Sequence, residues 1–126
     1  MKRKELIALI ESEGDRHDFE YRGFKCFIVR CHWGHLCGYV EVDEFSGVPD
    51  DVNTLDVHGG ITFDRVVDGK RTIGFDCAHL GDCIPGYHNG CSLQHFFIVD
   101  VIHGAYKDLE FVKSELKKLV TQLLET

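Results

Sequence analysis

The strongest constraint on the fold lies near the end of the chain. Leu109, Val112, Leu116, Leu119, Val120 and Leu123 recur at steps of three and four residues between Tyr106 and Leu124. That period predicts one long amphipathic helix. Its apolar stripe must be covered, most simply by one face of a sheet; a dimer seam would cover it too. A shorter helix is predicted over residues 4–13, with Leu6, Ile7 and Ile10 on one face and Gly14 as its stop. Residues 15–20 read as a polar connection. Residues 24–31 and 36–43 read as strands joined through His32-Trp33-Gly34-His35, and residues 93–102, rich in Phe, Ile and Val, as a central strand. Residues 61–66 and 70–76 supply a further hairpin, while residues 45–56 form a loop, either a rim or lid or a plain acidic surface. The expected architecture is α+β: a single domain over residues 1–126, with a mainly antiparallel sheet of about five strands. A short N-terminal helix and the long C-terminal helix pack against it.

Composition narrows the function classes. With 126 residues the chain fits one domain. Its net charge of -7 argues against a general nucleic-acid surface, which needs clustered Lys and Arg. A single phosphate-bearing ligand held by local donors remains compatible. The longest apolar run, near Phe96-Phe97-Ile98-Val99, is far too short to span a bilayer. Met1-Lys2-Arg3-Lys4 is basic, but Glu11 and Glu13 follow where a secretory apolar stretch would lie. A cytoplasmic protein is expected. Its six cysteines include no C-x-x-C pair, so reduced, mostly buried thiols are expected rather than a disulfide framework. Cys31-His32-x-x-His35-x-Cys37 has metal-ligand types at an irregular spacing.

Chemistry concentrates between Val57 and Asp82, where His58-Gly59-Gly60-Ile61-Thr62-Phe63 and Gly74-Phe75-Asp76-Cys77-Ala78-His79-Leu80-Gly81-Asp82 end two short strands. A three-residue Val67-Asp68-Gly69 loop would pair Phe63 with Ile73 and Ile61 with Phe75, placing all four on one face. His58, Thr62 and Asp76 would then share the other face, with His58 and Asp76 as diagonal neighbours. Three chemical readings fit these residues. Catalysis would use His58 or His79 as general acid or base, with Asp76 fixing the tautomer. Ligand binding would use Gly59, Gly60, Thr62 and Asp82, the glycines offering backbone N–H groups to an anion. A divalent metal would take His58, His79, Asp76 and Asp82 as mixed N/O ligands. Against these stand plainer readings, in which Asp76 caps the following turn and Gly59-Gly60 is a bulge.

Gly38-Tyr39-Val40, the His58-Gly59-Gly60 and Gly74-Phe75-Asp76-Cys77-Ala78-His79 segments, and the helix bearing Tyr106, Val112, Glu115 and Leu116 together resemble a group of small phage and prophage proteins. The resemblance covers roughly residues 36–124 and departs from the group's pattern between Glu41 and Asp56. It implies a setting, inside a bacterial host, and no reaction. A counter-defence or host-takeover accessory is the expectation. It would be a hydrolase or phosphodiesterase acting on a small nucleotide-like anion, or a non-catalytic binder that sequesters a nucleotide signal or blocks a host protein. The C-terminal helix also offers a route to a homo-oligomer.

Overall fold

The computed structural model describes residues 3–42, 47–79, 82 and 105–125. Helix α1 (Arg3–Glu13) leads into strands β1 (Arg16–Tyr21), β2 (Phe24–Arg30) and β3 (Leu36–Glu41). A 3-10 turn (Val52–Thr54), strands β4 (Phe63–Val67) and β5 (Lys70–Asp76), and helix α2 (Leu109–Glu125) complete the order. The five strands form one antiparallel sheet in the order β1-β2-β3-β5-β4. The fold is α+β, as expected.

The α2 stripe is consumed by the sheet. Val112, Leu116, Leu119, Val120 and Leu123 are fully buried against Cys26 and Ile28 of β2, Leu36 and Val40 of β3, and Ile73 and Phe75 of β5. Gly38 lets the helix come this close, because a Cβ there would fall 2.9 Å from the Phe75 ring and 3.0 Å from Val112. Asp108 caps α2 by accepting from the Phe111 N–H at 2.9 Å. Leu6 and Ile10 of α1 form a separate small core with Ile7 and Tyr106.

Two expectations need correcting. Residues 15–20 are not a connection: Arg16–Tyr21 is an edge strand paired with β2. Its Arg16, Asp18 and Glu20 alternate with half-buried His17, Phe19 and Tyr21, the charged pattern that protects an exposed edge. Arg22 and Gly23, both at positive φ, turn the chain back into β2. The second correction is the β4–β5 register. Val67 pairs with Lys70 and Phe63 with Gly74, so the turn is the two-residue Asp68-Gly69. Both turn residues have positive φ, +50° and +81°, the conformation whose twist suits a two-residue hairpin. The premise of one apolar face fails because both faces are apolar. Ile73 and Phe75 enter the core under α2, while Phe63 joins Tyr39 and Phe27 in an aromatic row on the opposite face. The expected central strand over residues 93–102 lies outside the described residues.

The loop before β4 is strapped down where it is described. Leu55 and Val57 are buried in the core, and Gln122 of α2 both donates to the Asp56 carbonyl (2.6 Å) and accepts its N–H (2.7 Å). Among the described residues no helix is long and apolar enough to cross a membrane.

Candidate functional site

The site forms where the chain leaves β5 and where it enters α2. On one side, buried Val57 anchors a tight turn closed by the Gly60 N–H on the Val57 carbonyl at 2.8 Å. Gly59 takes φ +70° in that turn. His58 is therefore held on a rigid corner, and its own N–H donates to Glu115 Oε1 of α2 at 2.8 Å. On the other side, Asp76 ends β5 and accepts the Ala78 N–H at 3.0 Å, which turns the chain towards His79. A second turn follows: the Asp82 N–H donates to the His79 carbonyl at 2.9 Å, and Asp82 Oδ2 accepts the His79 N–H at 3.0 Å. A parallel bridge between Asp82 and Ala105 sets the approach to α2 beside this corner.

These turns build two Asp–His pairs. His58 Nε2 lies 2.7 Å from Asp82 Oδ2. His79 Nε2 lies 3.1 Å from Asp76 Oδ1, off the direction a hydrogen bond needs, and is buried without a hydrogen-bond partner. The two rings meet edge to face with centroids 5.6 Å apart. Asp76 Oδ2 is held by the Thr62 hydroxyl at 3.0 Å, and Asp82 Oδ1 has Lys107 Nζ at 3.5 Å. Phe111 closes the back, its ring perpendicular to His58 at 5.2 Å. Each of the four carboxylate oxygens therefore already has a cationic or hydrogen-bonding neighbour.

Residues singled out from sequence are thus brought together, though not as the expected hairpin face. Thr62 and Asp76 do meet, but His58 is paired with Asp82 rather than set diagonally to Asp76, because residues 57–60 form a turn and not a strand. The Gly60 N–H is spent inside that turn. Gly59 makes room for the second imidazole, since a Cβ there would fall 2.0 Å from His79 Nε2. Lys107, Phe111 and Glu115 were not among the site residues expected from sequence. They arrive from α2 and its approach, and no local pattern couples them to His58.

Burial alone would raise the carboxyl of Asp82. The hydrogen bonds from His58 and from the His79 N–H, with Lys107 nearby, outweigh it and hold that carboxyl below its ordinary value. Burial, reinforced by the carboxylates of Asp82 and Asp76, pushes the Cys77 thiol up to about 12. Cys77 is therefore a packing group at neutral pH and not a nucleophile. Burial also lowers His35, against the pull of Asp76 and Asp82.

A different set of residues has the packing of a metal group. One ligand atom each from Cys31, His35 and Cys37 lies within 4.8 Å of the others, so this group could hold a metal. Cys31 and Cys37 are joined here as a disulfide, where reduced thiols were expected. Their positions across the β2–β3 hairpin bring the sulfurs together despite the irregular spacing in sequence. No protein-family model, curated protein or solved structure matches the chain.

Proposed function

We propose that the His58/His79 corner acts on a small nucleotide-like anion as a phosphoester hydrolase. The observation that carries this reading is the pair of Asp–His couples with rings 5.6 Å apart. In both couples Nε2 is the ring nitrogen near a carboxylate, at 2.7 Å for His58 and 3.1 Å for His79. When Nε2–H of His58 donates to Asp82, the lone pair lies on Nδ1, which can take a proton from water; Asp82 stabilises the imidazolium that results. His79, with Nε2 towards Asp76, has Nδ1 as the complementary proton donor to a leaving oxygen. Two imidazoles at this spacing fit one base and one acid on a single phosphoryl group. Lys107, near both Asp82 and the Phe111 ring, supplies a cation beside the same corner. Positioned general acid–base groups contribute about 10²–10⁴-fold each.

The saturated carboxylates favour this role for the imidazoles over a carboxylate nucleophile. They equally suit a protein that binds such an anion and does no chemistry, a sequestering role that also fits a phage accessory acting in counter-defence. A host-protein blocker is a further form of the binding role. The deciding assay incubates the protein with a panel of cyclic and linear nucleotides, denatures it with heat and analyses the released small molecules. Hydrolysis returns product, sequestration returns the ligand intact, and an untouched panel with a host protein recovered by pull-down sinks the nucleotide reading.

A further inference from the structure

The β2–β3 hairpin places three soft donors on one side of its end. Its loop is His32-Trp33-Gly34: the Cys31 N–H donates to the His35 carbonyl at 2.8 Å, and the Gly34 N–H to the Cys31 carbonyl at 2.9 Å. Gly34 takes φ +94°, as a three-residue hairpin loop requires at its last position. Cys31 and His35 thus face each other across the hairpin, one step beyond the Arg30–Leu36 pair. Val29 pairs with Cys37, so Cys31 and Cys37 are diagonal neighbours on that same face. His35 is only 8% exposed, and its Nδ1 is buried with no hydrogen-bond partner. Such a nitrogen calls for an explanation, and ligation of an ion is one of the few available.

We propose that Cys31, His35 and Cys37 form a zinc site in the reduced protein, and that the Cys31–Cys37 disulfide is its oxidised, metal-free state. Two thiolates and one imidazole are a donor set zinc prefers, and three protein donors leave one position of a tetrahedral ion to an outside ligand. The interconversion balances. A cellular dithiol delivers two electrons and two protons, the S–S bond breaks to two thiols, and the reductant becomes the disulfide. Zinc then displaces both thiol protons to solvent as two Zn–S bonds form. In a reducing compartment the dithiol form prevails. The site adjoins the Asp–His corner through β3, since Cys37 pairs with Asp76 and the Cys77 N–H donates to the Leu36 carbonyl at 3.2 Å. It does not depend on what that corner does.

The test is a Co²⁺ titration of protein reduced with a phosphine under anaerobic conditions. The expected result is saturation at one ion per chain, with thiolate-to-cobalt charge-transfer absorption and the visible bands of a tetrahedral ion, both erased by Zn²⁺. Untreated, disulfide-bonded protein should show neither. Losing a supporting group around a metal typically costs about 10–100-fold in affinity, so His35→Gln, which removes a ligand itself, should exceed that range. Cys37→Ser, which leaves one thiolate at most, should weaken the charge-transfer band and the affinity for cobalt. Circular dichroism accompanies each variant; if Cys37→Ser fails to fold, His35→Gln and the reduced-against-oxidised comparison decide. Folded, reduced protein that takes up no cobalt, binds it without thiolate bands, or binds it equally when oxidised overturns the proposal.

Discussion

Two charged clusters tie distant parts of this chain together, and they differ in how completely their polar atoms are used. In the first, Arg30 spends its guanidinium on five acceptors: Asp15, the carbonyls of Gly14 and Gly34, Tyr106 and Glu13. Glu13 returns the favour by accepting from Tyr106 at 2.6 Å and from the Leu109 N–H at the start of α2 at 2.7 Å. Burial pushes the Tyr106 hydroxyl well above its ordinary range, and the bond to Glu13 adds to that. In the second cluster the carboxylates are satisfied, but the buried His79 Nε2 is not. A saturated cluster joins α1, β2 and α2 and has nothing left to offer a ligand. An unsatisfied polar atom in the other sets it apart from a cluster built for stability alone.

The comparison breaks most visibly if the saturated cluster is opened. Arg30 and Glu13 side chains are each only 6% exposed, so Arg30→Ala strands a buried carboxylate. The expected loss is about 3–5 kcal/mol, read from urea unfolding, because removing one partner of a buried pair leaves the other uncompensated. A loss within the range of exposed pairs, under about 1 kcal/mol, would mean that this cluster is not the clamp described. Gly59→Ala comes next. It puts a side chain at φ +70° and into the His79 ring, so we expect roughly 1–3 kcal/mol of destabilisation. The His79 ring resonances should shift while those of Arg30 and Tyr106 stay in place.

How much of this was legible in the sequence differs by element. Both helices announced themselves, because Leu6, Ile7 and Ile10, and the stripe from Leu109 to Leu123, are buried as their spacing predicts or packed against the core. Strand β1 did not, since its apolar residues are aromatics set between charges and its edge position needs no continuous apolar run. The β4–β5 register differs from the expected one because the Asp68-Gly69 turn, with both residues at positive φ, outweighs the co-facing of apolar residues. At the site, His58, Asp76, His79 and Asp82 stand out as residue types. Which acid serves which imidazole does not, because His58 and Asp82 are joined by turns rather than by strand pairing. Glu115 reaches His58 across 57 residues, a contact no local pattern encodes.

The acid limb of stability sharpens the same contrast. Asp82 is held below its ordinary carboxyl value in the folded chain. Its stabilising contribution is therefore fully present above the unfolded value, about 3.9, and is lost as pH falls through the lower folded value. Asp82→Asn should lower stability at neutral pH by roughly 1.5–3 kcal/mol, the range for hydrogen bonds to a charged group. It should also flatten the acid limb of a melting-temperature profile below about pH 4. A profile identical to the parent's would show that the His58–Asp82 pair adds no stability.

The smallest effect on stability is expected where the effect on function is largest. His58 and Asp76 side chains are each partly exposed, and neither contributes a buried apolar surface to the core. His58→Ala removes a ring but leaves the backbone N–H that bonds Glu115, and Asp76→Asn keeps an oxygen that can accept from Ala78. Asp76→Asn should cost about 1 kcal/mol or less in unfolding free energy, and His58→Ala, which takes a partner from the buried Asp82 carboxylate, roughly 1–3 kcal/mol. Each should also lower turnover of a nucleotide substrate by about 10²–10⁴-fold. Calorimetry and the heat-release assay on the same preparations separate the two quantities. If both variants instead lose several kcal/mol, the Asp–His corner is a structural clamp like that around Arg30 and not a reacting site.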